Sequence, residues 1–522
     1  MSEPIVIALD SGTSMVKALA FDATGQLVNA VSRPNLICFG NGGAVEQDMQ
    51  RTWEDTCAVL RELTARLNSA GVVALAITGQ GDGTWLIDRE NEPVAPAILW
   101  LDARAGQLVE DLRTSGAASK AFAFTGTGLA ACQQPAQLLW LDQNHPELLE
   151  CSAIAFHCKD WLYLKLTGER ATDPSEASFS FGDFRTRSYQ AEVLESLGLT
   201  HLGRLLPPII DGVRQWHGLS ADAAAHTGLV QGTPVVLGYL DLACQALAAG
   251  SYGCGVEAGV SIIGTTGMHL RLVPEPDQVV PSAAMTGYCI PFPVPGHTLQ
   301  MQTHMAATLN LDWLVHLIQD AACLGGAEVS RGNEHILRAL DEAVLKVRPG
   351  AVLFHPFISS SGERGPFIDP FARAGLLGID QNVRLPEVAR AVYDGLGLAA
   401  RDCYVAMGGL PASVRITGGA AHSDSMRMIL AACLNCPVSL VAHDETGAAG
   451  AAMIAAVSIG LYSNMAECAR RWIAQPKDDI VNPDSALART YEVLFPAYRE
   501  AYASLPSVWR QMHAARLAIQ RI

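Results

Sequence analysis

IVIALDSGTSMVKALAFD (residues 5–22) sets two apolar runs around a short turn of small and hydroxyl residues. The apolar run 4–9 reads as a strand, Asp10-Ser11-Gly12-Thr13-Ser14 as a turn, and Val16–Phe21 as a second strand. Asp22–Gly25 then reads as a hairpin turn into a third strand. This is not the strand–turn–helix of a Walker loop, and no G-x-x-x-x-G-K-[ST] or helix-opening G-x-G-x-x-G occurs in the chain. A glycine turn with hydroxyl residues can still aim backbone N–H groups and the Thr13 hydroxyl at a phosphate oxygen. Asp10, at a strand end, can hold Mg²⁺ through water, and Lys17 can add a point charge. The same residues would also serve an ordinary hairpin.

The plan recurs close to half a chain further on. EAGVSIIGTTGMHLRLV (257–273) is again an apolar strand, a Gly264-Thr265-Thr266-Gly267 turn and an apolar strand. Repetition at half-length suggests two domains descended from one unit, with chance similarity as the alternative. Between the repeats, helical and strand patterns alternate. Trp53, Val59, Leu60, Leu63 and Leu67 fall at helical spacing over 52–68, and Val72–Ile77 follows as a strand. Helices are expected at 385–408 and 424–434, around a strand at Val414–Thr417. Alternation of this kind indicates α/β architecture. A chain of 522 residues exceeds one ordinary core, so two domains are expected, 1–248 and 249–522. The small-residue stretch AAGSYGCG, near 245–256, is the expected boundary.

Composition narrows the function classes. With 52 acids against 36 bases the formal net charge is −16, which disfavours a nucleic-acid partner. A phosphate-bearing ligand must then be held by local donors or a metal. The opening MSEPIVIALD lacks the basic and long apolar regions of a signal peptide. GAAGAAMIAAVSIGLY (447–462) is too short and too rich in Gly and Ala to span a membrane, and reads as a tightly packed helix. The 13 cysteines show no framework spacing, which points to a reducing cytoplasm. Cys433 and Cys436, a lone C-x-x-C, read as buried thiols.

Three further stretches can carry chemistry. PVVLGYLDLACQALAAG (234–250) holds one charged group, Asp241, in a long apolar neighbourhood. A buried carboxylate is costly unless paired or functional, so Asp241 is a candidate general base or metal ligand. It equally suits a helix N-cap, and a carboxylate there is expected to stay ionised. Gly418, Gly419 and Ser423 follow a strand, where glycines allow a flat ligand or diphosphate close to the backbone. Asp444-Glu445-Thr446-Gly447 opens the small-residue helix. Capping alone explains Ser423 and Thr446 as well.

In this order, the pieces resemble the FGGY family of carbohydrate kinases, built on the actin-like (ribonuclease H-like) ATPase fold. DSGTSMVKALAFD (10–22), WLDAR (100–104), KDWLYLKLTGERATDPSEAS (159–178), GYLDLACQALAAG (238–250), IGTTG (263–267), SGERGPFIDPFARAGLLGI (361–379), RITGGAAHSDSMRMILAACLNCPV (415–438) and ETGAAGAAMIAA (445–456) carry the resemblance over almost the whole chain. It implies two such domains with a cleft between them. ATP would lie there, adenosine near Gly418, Gly419 and Ser423, phosphates between Asp10, Gly12, Thr13, Ser14 and Lys17 on one side and Gly264, Thr265 and Thr266 on the other. Asp10 would position Mg²⁺, and Asp241 would take the proton of the attacking hydroxyl. Domain closure would exclude water. A homodimer is suggested by family analogy.

The substrate reading rests on ITGQGDGTWLID (77–88). In the family, the equivalent loop touches the sugar, with G-Q-M-H-G in D-xylulose kinases and N-Q-R-E-T in glycerol kinases. Here Gln80 is followed by Gly81 and Asp82. Asp82, ionised and acceptor-only, suits a hydroxyl-rich partner, Gly81 is expected to leave room or a water beside it, and Trp85 to form an apolar wall. The departure is more similar to the branch containing L-xylulose and erythritol kinases, as are LPPIIDG (206–212) and GGAAHSD (418–424). Trp100, Asp102 and Asp160 match positions near the sugar, although Trp100 and Asp160 also suit packing and capping. The expected substrate is a four- or five-carbon polyol or ketose, phosphorylated at a terminal hydroxyl. The rivals are a glycerol-type kinase, an actin-like nucleotide-binding protein without sugar chemistry, and a phosphatase or hydrolase on the same fold.

Overall fold

Each strand–turn–strand unit starts a sheet. The computed structural model describes residues 3–67, 71–253, 258–326, 332–441, 445–473 and 479–519. Its first large sheet has the order His217–Gly218, Pro234–Leu237, Val72–Gly79, Ile5–Ser11, Met15–Phe21, Leu27–Pro34. The second runs Ile480–Val481, Val438–Leu440, Val414–Thr417, Gly259–Ile263, Gly267–Val273, Thr298–His304, Tyr288–Pro291. In both, the opening hairpin is antiparallel and its first strand pairs in parallel with the strand on its other side. A further parallel strand and an antiparallel edge follow in each. The repeat therefore extends across whole sheets, and the second adds one strand, Tyr288–Pro291, at its far edge.

The parallel strands are mostly apolar because helices cover both faces. Helix Met49–Leu67 lies on one face of the first sheet, with Trp53, Val59, Leu60 and Leu63 buried among Ile7, Leu9, Leu75 and Ile77. The other face packs helices Asp241–Ala248 and Thr446–Ser458 over Val6, Ala8, Ala74 and Ala76, in a core that continues into Val260 and Leu270 of the second sheet. The small-residue stretch is this joint: a Cβ on Gly450 would lie 2.0 Å from the Cys244 carbonyl oxygen, so only glycine lets the two helices meet. Among the described residues no helix is long and apolar enough to cross a membrane.

The expected helices appear as Leu385–Ala406 and Asp424–Leu434, around the strand Val414–Thr417. Of the boundary stretch 245–256, residues 245–248 complete the helix Asp241–Ala248 and 254–256 lie outside the described residues, as do Glu257 and Asp444.

Candidate active site

Three adjacent parallel strands of the first sheet end at the same edge, where α/β folds place their ligands. Ile5–Ser11 delivers Asp10, Val72–Gly79 runs into Gln80, Gly81 and Asp82, and Pro234–Leu237 leads through Gly238 to Asp241. Asp241 opens its helix, and its Oδ1 accepts the Leu242 N–H at 2.7 Å. Burial and the neighbouring Asp10 carboxylate push Asp241 up to about 7, against that N–H and Lys159. The helix start thus does not keep it firmly ionised, because desolvation and like charge outweigh one hydrogen bond. A carboxyl balanced near neutrality is matched to accepting a proton from an alcohol.

Asp10 is raised to about 6 by burial, opposed by Lys17 and reinforced by Glu445. Its Oδ2 faces the start of helix Thr446–Ser458, where a Gly447 Cβ would stand 3.0 Å away. Lys17 is less free than the sequence implied, since its Nζ pairs with Glu445 at 2.7 Å, linking the two halves of the chain. A desolvated Asp10 with Asp241 and Glu445 nearby is a site that a hydrated divalent cation fits, Mg²⁺ in particular.

The 77–88 loop differs from its sequence reading in two places. Asp82 sits in the left-handed region at φ 54. Its Oδ2 accepts the Tyr288 hydroxyl at 2.9 Å, while its buried Oδ1 has no protein partner. Burial pushes Asp82 up to about 7, against the Tyr288 and Cys132 hydrogen bonds. Gly81 does not leave a vacancy. A Cβ there would lie 1.9 Å from Leu240 Cδ1, so the missing side chain makes room for the residue before Asp241. Trp85 is not a wall of the site either: it is fully buried in the strand Trp85–Ile87, paired with Phe156. The tryptophan that faces solvent is Trp100, 42% exposed, whose Nε1–H donates to Thr13 Oγ1 at 2.7 Å. Thr13 donates to Gln80 Oε1 at 3.2 Å, and Gln80 Nε2–H to Gln47 Oε1 at 2.9 Å. The 10–14 turn and the 77–88 loop are thereby one hydrogen-bonded unit, with the Thr13 hydroxyl spent inside it.

Two expected sugar contacts have other work. Asp102 is buried, accepts the Val45 N–H at 2.8 Å and pairs with Arg104 at 2.8 Å. Asp160 is fully buried as the capping partner of helix Cys158–Thr167, with Lys159 at 2.9 Å and His157 at 3.3 Å. Burial works to raise it, but Lys159 and His157 hold it below the ordinary range.

Sequence reasoning passed over the groups behind Asp160. The Lys159 ammonium, wholly buried, also pairs with Asp173 at 2.5 Å. Asp173 takes the Ser175 N–H at 2.8 Å, and Ser175 Oγ accepts the Leu240 N–H at 3.0 Å. This chain of contacts ends on the peptide adjoining Asp241 and fixes its backbone. The signal was the charged pair Lys159-Asp160 set directly before the apolar run Trp161–Leu164, with Asp173 a short way on. Tyr288 carried no local signal at all.

The residues expected on the nucleotide side gather at the matching edge of the second sheet. Gly264, Thr265 and Thr266 form an open turn after Gly259–Ile263, with both threonines exposed. Gly418, at φ 93, follows Val414–Thr417, and a Cβ there would meet the Ile263 carbonyl oxygen at 2.6 Å. The two turns therefore touch, and Gly419 beside them is exposed. Ser423 caps helix Asp424–Leu434, accepting the Met426 N–H at 3.0 Å and donating to Asp341 at 2.8 Å. Gly12 and Ser14 remain in the first turn, where the Gly12 N–H donates to the Met15 carbonyl at 3.0 Å.

Comparison with known proteins agrees with this geometry. The N-terminal domain model of the FGGY family of carbohydrate kinases matches residues 5–248, and the C-terminal domain model matches 259–459. The chain is 48% identical to an erythritol kinase of Brucella abortus over 514 residues, 98% of each chain. It is 28% identical to a xylulose kinase of Escherichia coli, covering 96% of this chain and 99% of that one. A crystal structure of xylulose kinase from Rhodospirillum rubrum superposes with a TM-score of 0.85 at 25% identity, over 97% of this chain and all of that one. Two sheets of one plan, carboxylates on one edge, glycine turns on the other and full-length matches of this kind have one reading: the chain belongs to the FGGY family of carbohydrate kinases.

Proposed function

We propose that the protein transfers the γ-phosphoryl group of ATP to a terminal hydroxyl of a four-carbon polyol, erythritol. The full-length 48% identity to an erythritol kinase carries this reading. The loop supports it: Asp82 keeps one buried acceptor free for a hydroxyl.

In this mechanism Asp241 accepts the proton of the attacking hydroxyl while Asp82 and Trp100 orient the polyol. Asp10 would hold Mg²⁺, which would supply neutralisation of the phosphate charge. Gly12, Ser14, Lys17, Gly264, Thr265 and Thr266 receive the phosphates, and Gly418, Gly419 and the backbone at Ser423 receive adenosine. Thr13, Gln80, Asp102 and Asp160 shape the site through the contacts described above. Positioning and charge neutralisation supply most of the catalysis in phosphoryl transfer. Residues 1–248 form the sugar domain and 249–522 the nucleotide domain. The described cysteines are free thiols, which supports a cytoplasmic enzyme.

The test is ADP release across erythritol, D- and L-xylulose, ribulose, glycerol, xylitol and ribitol. Erythritol is expected to give the highest kcat/KM. Preference for a pentose ketose or glycerol would overturn the substrate, and no stimulation by any of them would favour a nucleotide-binding protein.

A further inference from the structure

Behind the second phosphate turn lies a group of side chains that the transfer reaction does not use. His269, on strand Gly267–Val273, His304, on strand Thr298–His304, and Cys403, on helix Leu385–Ala406, are all buried. Each offers one ligand atom, and these atoms lie within 4.8 Å of one another. His269 Nε2 and both ring nitrogens of His304 are buried without a hydrogen-bond partner. Leaving buried imidazole nitrogens unpaired is costly, and an ion held here would satisfy His269 Nε2 and one nitrogen of His304.

Two features mark a built site. The first is an outer layer: His269 Nδ1 meets Ser261 Oγ at 2.9 Å, and Ser261 meets the Tyr404 hydroxyl at 3.1 Å. Tyr404 in turn donates to the Val260 carbonyl at 3.2 Å. Metal-bound imidazoles are oriented in this way through the second ring nitrogen. The second is Gly267, where a Cβ would stand 1.7 Å from His304 Nε2, so the glycine that closes the turn also admits the ring.

We propose that His269, His304 and Cys403 bind one transition-metal ion of the zinc class, bracing the Gly264–Gly267 turn from behind. Two imidazoles and a thiolate are borderline-soft ligands that suit Zn²⁺. Bonds of about 2.0–2.3 Å require the ligand atoms to close by roughly an ångström, a matter of side-chain rotation. An imidazole ligates as the neutral ring. A cysteine ligates as its thiolate. Binding therefore breaks the S–H bond, forms a metal–sulfur bond and releases the proton to buffer.

The experiment strips the full-length protein with a chelator and titrates it with Zn²⁺ or Co²⁺, in a background of Cys38→Ser, Cys151→Ser and Cys323→Ser that removes the exposed thiols among the described residues. The expected result is one ion per chain, one proton released per ion, and a sulfur-to-cobalt charge-transfer band that vanishes in Cys403→Ala. The KM for ATP should rise severalfold on stripping and recover on reloading. No stoichiometric uptake by the background protein overturns the site, independently of how any variant folds. So does uptake without the sulfur band, or equal uptake by a folded Cys403→Ala.

Discussion

The two hairpin turns occupy equivalent places in equivalent sheets, yet they carry opposite chemistry. The first is preceded by Asp10 and followed by Lys17, directly opposite each other in register. The second has Ile262 opposite Met268 and exposes only glycine and threonines. A charged turn can place a cation and its counter-charges, whereas a neutral turn can receive phosphate oxygens on N–H and O–H groups without repelling them. The same asymmetry extends along the edges: Asp82 and Asp241 belong to the first sheet, Gly418 and Gly419 to the second. One fold unit, used twice, has been divided into an acidic half and a neutral half.

The largest test of that division is Asp241→Asn, which removes the acid and keeps the shape. Turnover should fall about 10²- to 10⁴-fold, with ATP binding retained by calorimetry. The same variant should melt at a higher temperature at pH 8. A carboxyl raised from 3.8 to about 7 in the fold contributes its full stability only below the lower value, loses it as pH rises from there through about 7, and at pH 8 leaves a buried charge that the amide does not have. Loss of ATP binding, or near-normal turnover, would break the comparison.

Next in size, Asp82→Ala should raise the KM for polyol about tenfold or more, roughly 1.4 kcal/mol, and leave that for ATP unchanged. Tyr288→Phe should lie between this variant and wild type. The pH profile should follow. Because Asp241 must be ionised to act, kcat/KM should be about half-maximal near pH 7 and fall nearly tenfold per unit below it.

A packing test comes after these. Gly81→Met should cost about 1–3 kcal/mol through collision with Leu240, and adding Leu240→Ala should restore part of the melting temperature. The smallest effect is expected from Lys17→Gln. Its pair with Glu445 is one-third exposed and contributes about 1 kcal/mol at most, so a severalfold rise in KM for ATP is the expected reading.

How far the sequence foretold this follows from the range of each signal. Strand–turn–strand units are local, so the fold was legible, and an isolated acid such as Asp241 stands out from its apolar neighbours, so its place at the sheet edge was legible too. Capping residues were legible only as alternatives, and Asp160 and Ser423 proved to be caps. Contacts between distant segments left no trace in spacing. Tyr288 reaches Asp82 across 206 positions, and the fit of Leu240 into Gly81 joins two loops. Trp85 and Trp100 looked alike as residues, but strand pairing buries one while the other stays on the surface.

The most direct test of the account is the phosphorus NMR spectrum of a reaction containing the enzyme, ATP, Mg²⁺ and erythritol. A phosphate monoester of the polyol, growing in step with ADP, is the predicted result. ADP accompanied only by inorganic phosphate would show that water is the acceptor and would contradict the assignment.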